Sequence, residues 1–159
     1  MATFNDLVGA LDYPMLIVTS VAGDERDGCL VGLSTQTSIH PSRFLACLSR
    51  KNRTYRIACD AGVLAVHVVP AGGEDLAELF GGETADEVDK LADVDWRSGP
   101  DGVPIVAACP NRFVGRVLDR LDTGDHVGFL LEPTEAQTGD QVDWLSFQQA
   151  KRIPPGHEA

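Results

Sequence analysis

Asp27-Gly28-Cys29-Leu30-Val31-Gly32-Leu33-Ser34-Thr35-Gln36-Thr37-Ser38 is the most informative stretch of this chain. Its first part is mostly apolar and its last five residues are all polar. The pattern predicts a strand from Cys29 to Ile39, rich in hydroxyls toward its end and stopped by Pro41. Ser34, Thr35, Gln36, Thr37 and Ser38 then offer side-chain and backbone hydrogen bonds to a ligand. Successive residues of a strand face opposite sides, so a ligand meets only some of the five.

Outward from this stretch, short strands dominate. Met15 to Val21 reads as a strand and Ala22-Gly23-Asp24 as a turn. Phe44 to Ser49 is a third strand, and Val63 to Val69, Pro104 to Ala108, Arg112 to Leu121 and His126 to Leu131 continue the series. Leu145 to Gln148 is expected to pair last, ahead of an extended tail from Ile153 to Ala159. The helices are brief. Phe4, Leu7, Val8 and Leu11 share a helical face, and Tyr13-Pro14 ends that helix. Asn52 is placed to cap a second helix that Gly62 stops. Leu76, Leu79 and Phe80 mark a third, and Thr84-Ala85-Asp86-Glu87 reads as a capping box opening a fourth. Ten acidic residues between Glu74 and Asp101 place this helical excursion in solvent. About seven strands without β-α-β alternation predict a mainly β, antiparallel barrel with short helices, in a single domain over residues 1–159.

Composition narrows the function. The chain has 159 residues, 43% of them apolar and 23% charged, enough for one core without disulfides. A net charge of −11 argues against nucleic-acid binding. No apolar run approaches the roughly 20 residues that span a bilayer, and residues 1–6 lack a signal-peptide pattern. The expected location is the cytoplasm. Cys29, Cys47, Cys59 and Cys109 lie 18, 12 and 50 residues apart, each in an apolar setting, and read as buried thiols. His40, His67 and His157 form no metal-ligand spacing and read as structural or surface residues. Residues 28–59 carry Arg43, Arg50, Lys51, Arg53 and Arg56 and no acid, a basic island on an acidic chain that suits a small anion. Ser49, Arg50, Asn52, Arg53 and Thr54 stand at the entry of the second helix, where backbone N–H groups and arginine forks suit a phosphate.

Four segments, in order, resemble the flavin reductase-like, FMN-binding split-barrel family. They are residues 27–38 above, Cys47-Leu48-Ser49-Arg50-Lys51-Asn52-Arg53-Thr54-Tyr55, Gly62-Val63-Leu64-Ala65-Val66-His67-Val68-Val69 with Leu76 to Phe80, and Gly124-Asp125-His126-Val127-Gly128-Phe129-Leu130-Leu131-Glu132. The chain departs from the family pattern at His40-Pro41-Ser42, where Asp-Pro-Pro is frequent, and at Val66-His67-Val68-Val69, where Val-Asn-Val-Leu is frequent. The resemblance implies an antiparallel split β-barrel of Greek-key type. It implies a homodimer with FMN, or FAD, at the interface, and NAD(P)H as a transient co-substrate. Ser34 to Ser38 would then hold the isoalloxazine edge, and Ser49, Arg50, Asn52, Arg53 and Thr54 the phosphate. His126 would lie near the nicotinamide, with Gly128 on its face leaving room for a planar ring. Phe147 reads as a core residue, and Trp144 as cover for the flavin or the dimer.

The implied activity is hydride transfer from NAD(P)H to flavin, with the reduced flavin supplied to a partner monooxygenase or another acceptor. No protein nucleophile or metal is needed, because the cofactor carries the chemistry. Two other readings stay open from sequence: a flavin-binding protein or electron carrier that is not a reductase, and a split barrel for a deazaflavin or heme.

Overall fold

The computed structural model describes residues 1–82 and 89–152. The capping box at Thr84 to Glu87 and the tail from Ile153 lie outside the described residues. The elements are α1 Phe4–Gly9, β1 Leu16–Ala22, β2 Glu25–Val31, β3 Ser34–Ser38, β4 Arg43–Ser49, α2 Arg53–Ala58, β5 Val63–Val68 and α3 Glu74–Gly81. They continue with β6 Trp96–Ser98, β7 Pro104–Val106, β8 Arg112–Asp122, β9 His126–Gln137 and α4 Phe147–Ala150. A 3₁₀ turn, Lys90–Asp93, precedes β6.

Seven strands form one antiparallel sheet in the order β2-β1-β5-β8-β9-β4-β3, and β6 and β7 make a separate small hairpin. The chain passes from one end of that order to the other through Gly32 and Leu33 alone. Six strand spacings would hold β2 and β3 about 29 Å apart in a flat sheet. Two residues between strand ends span at most about 11 Å. The sheet therefore curls until its ends approach each other at Gly32-Leu33, where Cys47 N–H donates to the Leu33 carbonyl at 2.9 Å.

Alternation along the strands fills the curl. Leu16, Val18, Cys29, Val31, Ala46, Leu48, Leu64, Val66, Val127, Phe129 and Leu131 form one buried cluster. The helix α2 adds Ala58 to it and packs Tyr55 edge-on to Phe129. Outside β1 a second cluster gathers Met15 and Ile17 with Ala77 and Phe80 of α3, Leu91, Cys109 and Leu145. Phe147 joins this layer and stacks on Tyr13 at 4.8 Å. None of the four cysteines is placed in a disulfide; Cys29 and Cys109 are buried, Cys47 and Cys59 half-buried.

His67 ties three strands together. Its Nδ1 meets the Ile17 carbonyl at 2.9 Å, and its Nε2 accepts from Val106 N–H at 3.0 Å. Those two bonds require the tautomer with the proton on Nδ1. Burial pushes its pKa down to about 4, against the weaker upward pull of the Ile17 carbonyl.

Several expectations are corrected. The single strand from Cys29 to Ile39 is two strands, broken at Gly32-Leu33, because its apolar half pairs with β1 and its polar half with β4. The second helix ends at Ala58 with Cys59 as its cap, short of Gly62, and Asn52 holds the N-cap position without a side-chain capping bond. The last long strand runs on from Leu131 to Gln137, and β6 was not expected. Leu145 to Gln148 is not a strand: Leu145 exchanges backbone bonds with Met15 and Val69, and Ser146 then caps α4. The acidic excursion is not wholly solvated, since Lys90 is buried against Asp27 at 3.4 Å and also donates to the Gly28 carbonyl.

Candidate functional site

Three groups of sequence-selected residues meet along β3, β4 and β9. β3 closes one end of the sheet order and pairs only with β4 among the described residues. Its outer edge therefore presents backbone groups that no strand takes up. Thr35, Gln36 and Thr37 are exposed, and Ser34 and Ser38 half-buried. Thr35 Oγ1 donates to the Gln36 carbonyl at 3.3 Å and Gln36 Nε2 to the Ser38 carbonyl at 3.1 Å, so the run satisfies two of its own acceptors.

Beside it, Ala46 and Leu48 of β4 and Val127, Phe129 and Leu131 of β9 point into the core. Leu45, Cys47 and Ser49, and His126, Gly128 and Leu130, consequently share the opposite face. The ladder pairs Ser49 with His126, Cys47 with Gly128 and Leu45 with Leu130. This register brings the expected phosphate segment against the expected nicotinamide residue. The expectation of open space over Gly128 is corrected: a Cβ there would lie 2.9 Å from Leu45 Cδ1, so Leu45 fills that position.

Past Ser49 the expected phosphate set divides. Ser49 Oγ accepts from Lys51 N–H at 3.3 Å. Arg50 turns toward β9: its Nε donates to the Gly124 carbonyl at 3.0 Å, and Nη2 lies 2.8 Å from Asp122. Arg53 turns toward β2, loosely held 3.9 Å from both Glu25 and Asp27, with Nη1 3.4 Å from the Arg26 carbonyl. Thr54 is fully buried, its Oγ1 without a partner and its carbonyl taken by Ser20 Oγ at 3.1 Å. Thr54 lies on the inward face of α2.

His126 has Nδ1 2.7 Å from Asp125 Oδ1, and its side chain is 19% exposed. That contact lowers the pKa of Asp125. Asp125 lies in a segment singled out by sequence, yet its role as the partner of His126 was not drawn from it. Arg53 also lines an open groove of about 390 Å³ with Asp24, Arg26, Leu91 and Trp96. There the Arg26 guanidinium sits 5.6 Å from the Trp96 ring. Nothing in the local sequence links Arg26 to Trp96, which lies 70 residues further on.

Residues 8–153 match the flavin reductase like domain. The chain belongs to that family. A protein of Rhizobium meliloti named "Probable flavin reductase" is 32% identical over 77% of this chain, which spans only 39% of that protein. The FMN reductase (NADH) of Klebsiella pneumoniae is 29% identical over 79% of this chain and 76% of its own length. The solved NADH:FAD oxidoreductase of Streptomyces globisporus is similar with a TM-score of 0.80 and 26% identity, covering 89% of this chain and 84% of that one.

In this flavin reductase-like chain two of the thiols, Cys47 and Cys109, are poor nucleophiles. Burial raises the pKa of Cys47 and pushes Cys109 up to about 12, so both stay protonated near neutrality. Among the described residues, no three His, Cys, Asp or Glu side chains gather as a metal site. No described helix is long and apolar enough to cross a membrane.

Proposed function

We propose that this chain is a flavin reductase that takes hydride from NAD(P)H into FMN, or FAD, and passes reduced flavin to a partner monooxygenase. The observation that carries the reading is the single face on which the open edge of β3, the Ser49 turn and His126 lie side by side. Family membership and the similar FMN and FAD reductases support it.

The residues fit a flavin nucleotide. The outer amides of Ser34 to Ser38 suit the hydrogen-bonding edge of an isoalloxazine, and Leu45, Cys47 and Leu130 give an apolar floor beside them. Ser49, Asn52 and Arg53, with Lys51 exposed between them, supply hydroxyl, amide and cationic groups for the phosphate. The contacts that hold Arg53 are long, at 3.9 Å to Glu25 and Asp27 and 3.4 Å to the Arg26 carbonyl. When bound, the flavin supplies the redox chemistry. The protein's part would be to hold the flavin through Ser34 to Ser38 and the Ser49 to Arg53 segment, and to present His126 to the nicotinamide.

Three finer statements belong to the same proposal. The curled sheet closes as a split β-barrel, with β2 and β3 at the split. The flavin sites form between two copies of the chain. The enzyme works in the cytoplasm. Steady-state oxidation of NADH and NADPH, with and without FMN or FAD, tests the activity. Flavin-dependent oxidation is expected. Tight flavin binding without nicotinamide oxidation would instead establish a carrier.

A further inference from the structure

We propose that Arg50 is a positioning residue: it staples the β8–β9 turn and so sets the ring of His126, rather than binding phosphate. This rests on the reading of His126 above.

Three donors of Arg50 converge on one turn. Its backbone N–H donates to the Asp125 carbonyl at 3.1 Å, its Nε to the Gly124 carbonyl at 3.0 Å, and its Nη2 reaches Asp122 Oδ1 at 2.8 Å. The same Asp122 oxygen accepts from Gly124 N–H at 3.1 Å. Thr123 closes the turn onto the other end, donating from N at 3.2 Å and Oγ1 at 2.8 Å to the His126 carbonyl. Asp125 then holds His126 Nδ1. A continuous chain of bonds thus runs from Arg50 through residues 122–125 to the imidazole.

The turn needs such a staple. Gly124 sits at φ +129, a conformation L side chains rarely adopt, and glycine supplies no side-chain packing to hold it. Asp122 is largely exposed, so one ion pair there would contribute little. A guanidinium spanning a carboxylate and a carbonyl adds direction that an ammonium lacks. Because Ser49 pairs with His126, Arg50 follows directly from the strand that borders the ring. With Nδ1 held by Asp125, Nε2 is the nitrogen His126 presents to a ligand.

The test uses Arg50→Ala, Arg50→Lys and Asp122→Asn in the full chain. His126 imidazole nitrogen NMR signals are assigned by their loss in His126→Ala. Expected are altered His126 signals in all three variants, with no rescue by lysine. The ratio of FMN to riboflavin affinity should stay within threefold of the starting protein. Flavin reduction should slow about tenfold at unchanged flavin KM, as misplacement of a residue that orients the nicotinamide predicts. A tenfold fall of the FMN-to-riboflavin affinity ratio in Arg50→Ala would make Arg50 a phosphate ligand and overturn the proposal. Unchanged His126 signals would overturn it too. Altered signals, with reduction unaffected in both Arg50→Ala and His126→Ala, would uphold the staple and refute only the role given to His126.

Discussion

Single residues carry three consequences. His67 is neutral in the folded protein, with its pKa near 4, whereas an unfolded histidine titrates near 6.5. The unfolded chain therefore takes up a proton first as pH falls. The stability contributed is complete above about pH 6.5 and is lost progressively toward pH 4. Urea unfolding should show a loss of about 2 kcal/mol from this residue between pH 7 and pH 5. His67→Gln should flatten that slope; an identical slope in the variant would contradict the assignment. Lys90 is 2% exposed and neutralises Asp27. Lys90→Met leaves that carboxylate buried with Arg53, at 3.9 Å, as its cation among the described residues, and should destabilise the fold by about 3–5 kcal/mol. A loss below about 1 kcal/mol would mean that Arg53 takes over. Arg53→Ala should weaken FMN by roughly 1.5–3 kcal/mol, about ten- to hundredfold, and riboflavin much less. Fluorescence titration reads both, and equal losses would remove Arg53 from the phosphate.

At the scale of elements, the β8–β9 hairpin is the most exacting piece. A Cβ at Gly124 meets nothing within 4 Å, so Gly124→Ala pays only for its backbone conformation. The expected cost is about 1–3 kcal/mol, and an unchanged unfolding midpoint would show that the turn relaxes freely. The elements also show what a sequence can disclose. Met15 to Val21 and Val63 to Val69 were legible because their apolar runs alone place them in the core. The stretch from Cys29 to Ile39 was not, because its break depends on partners elsewhere: Cys29 pairs with Val18, while Gln36 pairs with Phe44. β6 was missed because three residues have no period to read, and its partner Val106 lies beyond an intervening turn. For the site, sequence singled out Ser49 and His126 but not their adjacency, which is a matter of ladder register. Arg50 reads from sequence as a phosphate ligand, and its bond to the Gly124 carbonyl, 74 residues away, lies beyond any local pattern. The burial of Thr54 follows from which face of α2 turns inward, and a six-residue helix gives too short a pattern to fix that.

For the whole molecule, the exposed apolar surface bears on assembly. Phe4, Leu7 and Leu11 of the N-terminal segment, with Leu33, Ile39 and Leu121, are all exposed. The helix α1 buries no residue and is secured at its end by Gln148, whose Nε2 donates to the carbonyls of Gly9 and Leu11 at 2.8 Å. A helix with an apolar face open to water is accounted for if a second copy covers it. Sedimentation at micromolar concentration should give a dimer, and Leu7→Glu with Leu11→Glu should dissociate it; a monomer that binds FMN tightly would contradict an interfacial site. Hydride transfer to flavin is the step that defines the proposed activity. Its most direct measurement is anaerobic rapid mixing of the FMN-loaded protein with NADH or NADPH, following the flavin's visible absorbance. Bleaching is expected in a single phase that saturates with nicotinamide concentration, with His126→Ala slowing the phase while flavin affinity holds. A flavin that stays oxidised against both nucleotides, yet is reduced by dithionite, would contradict it.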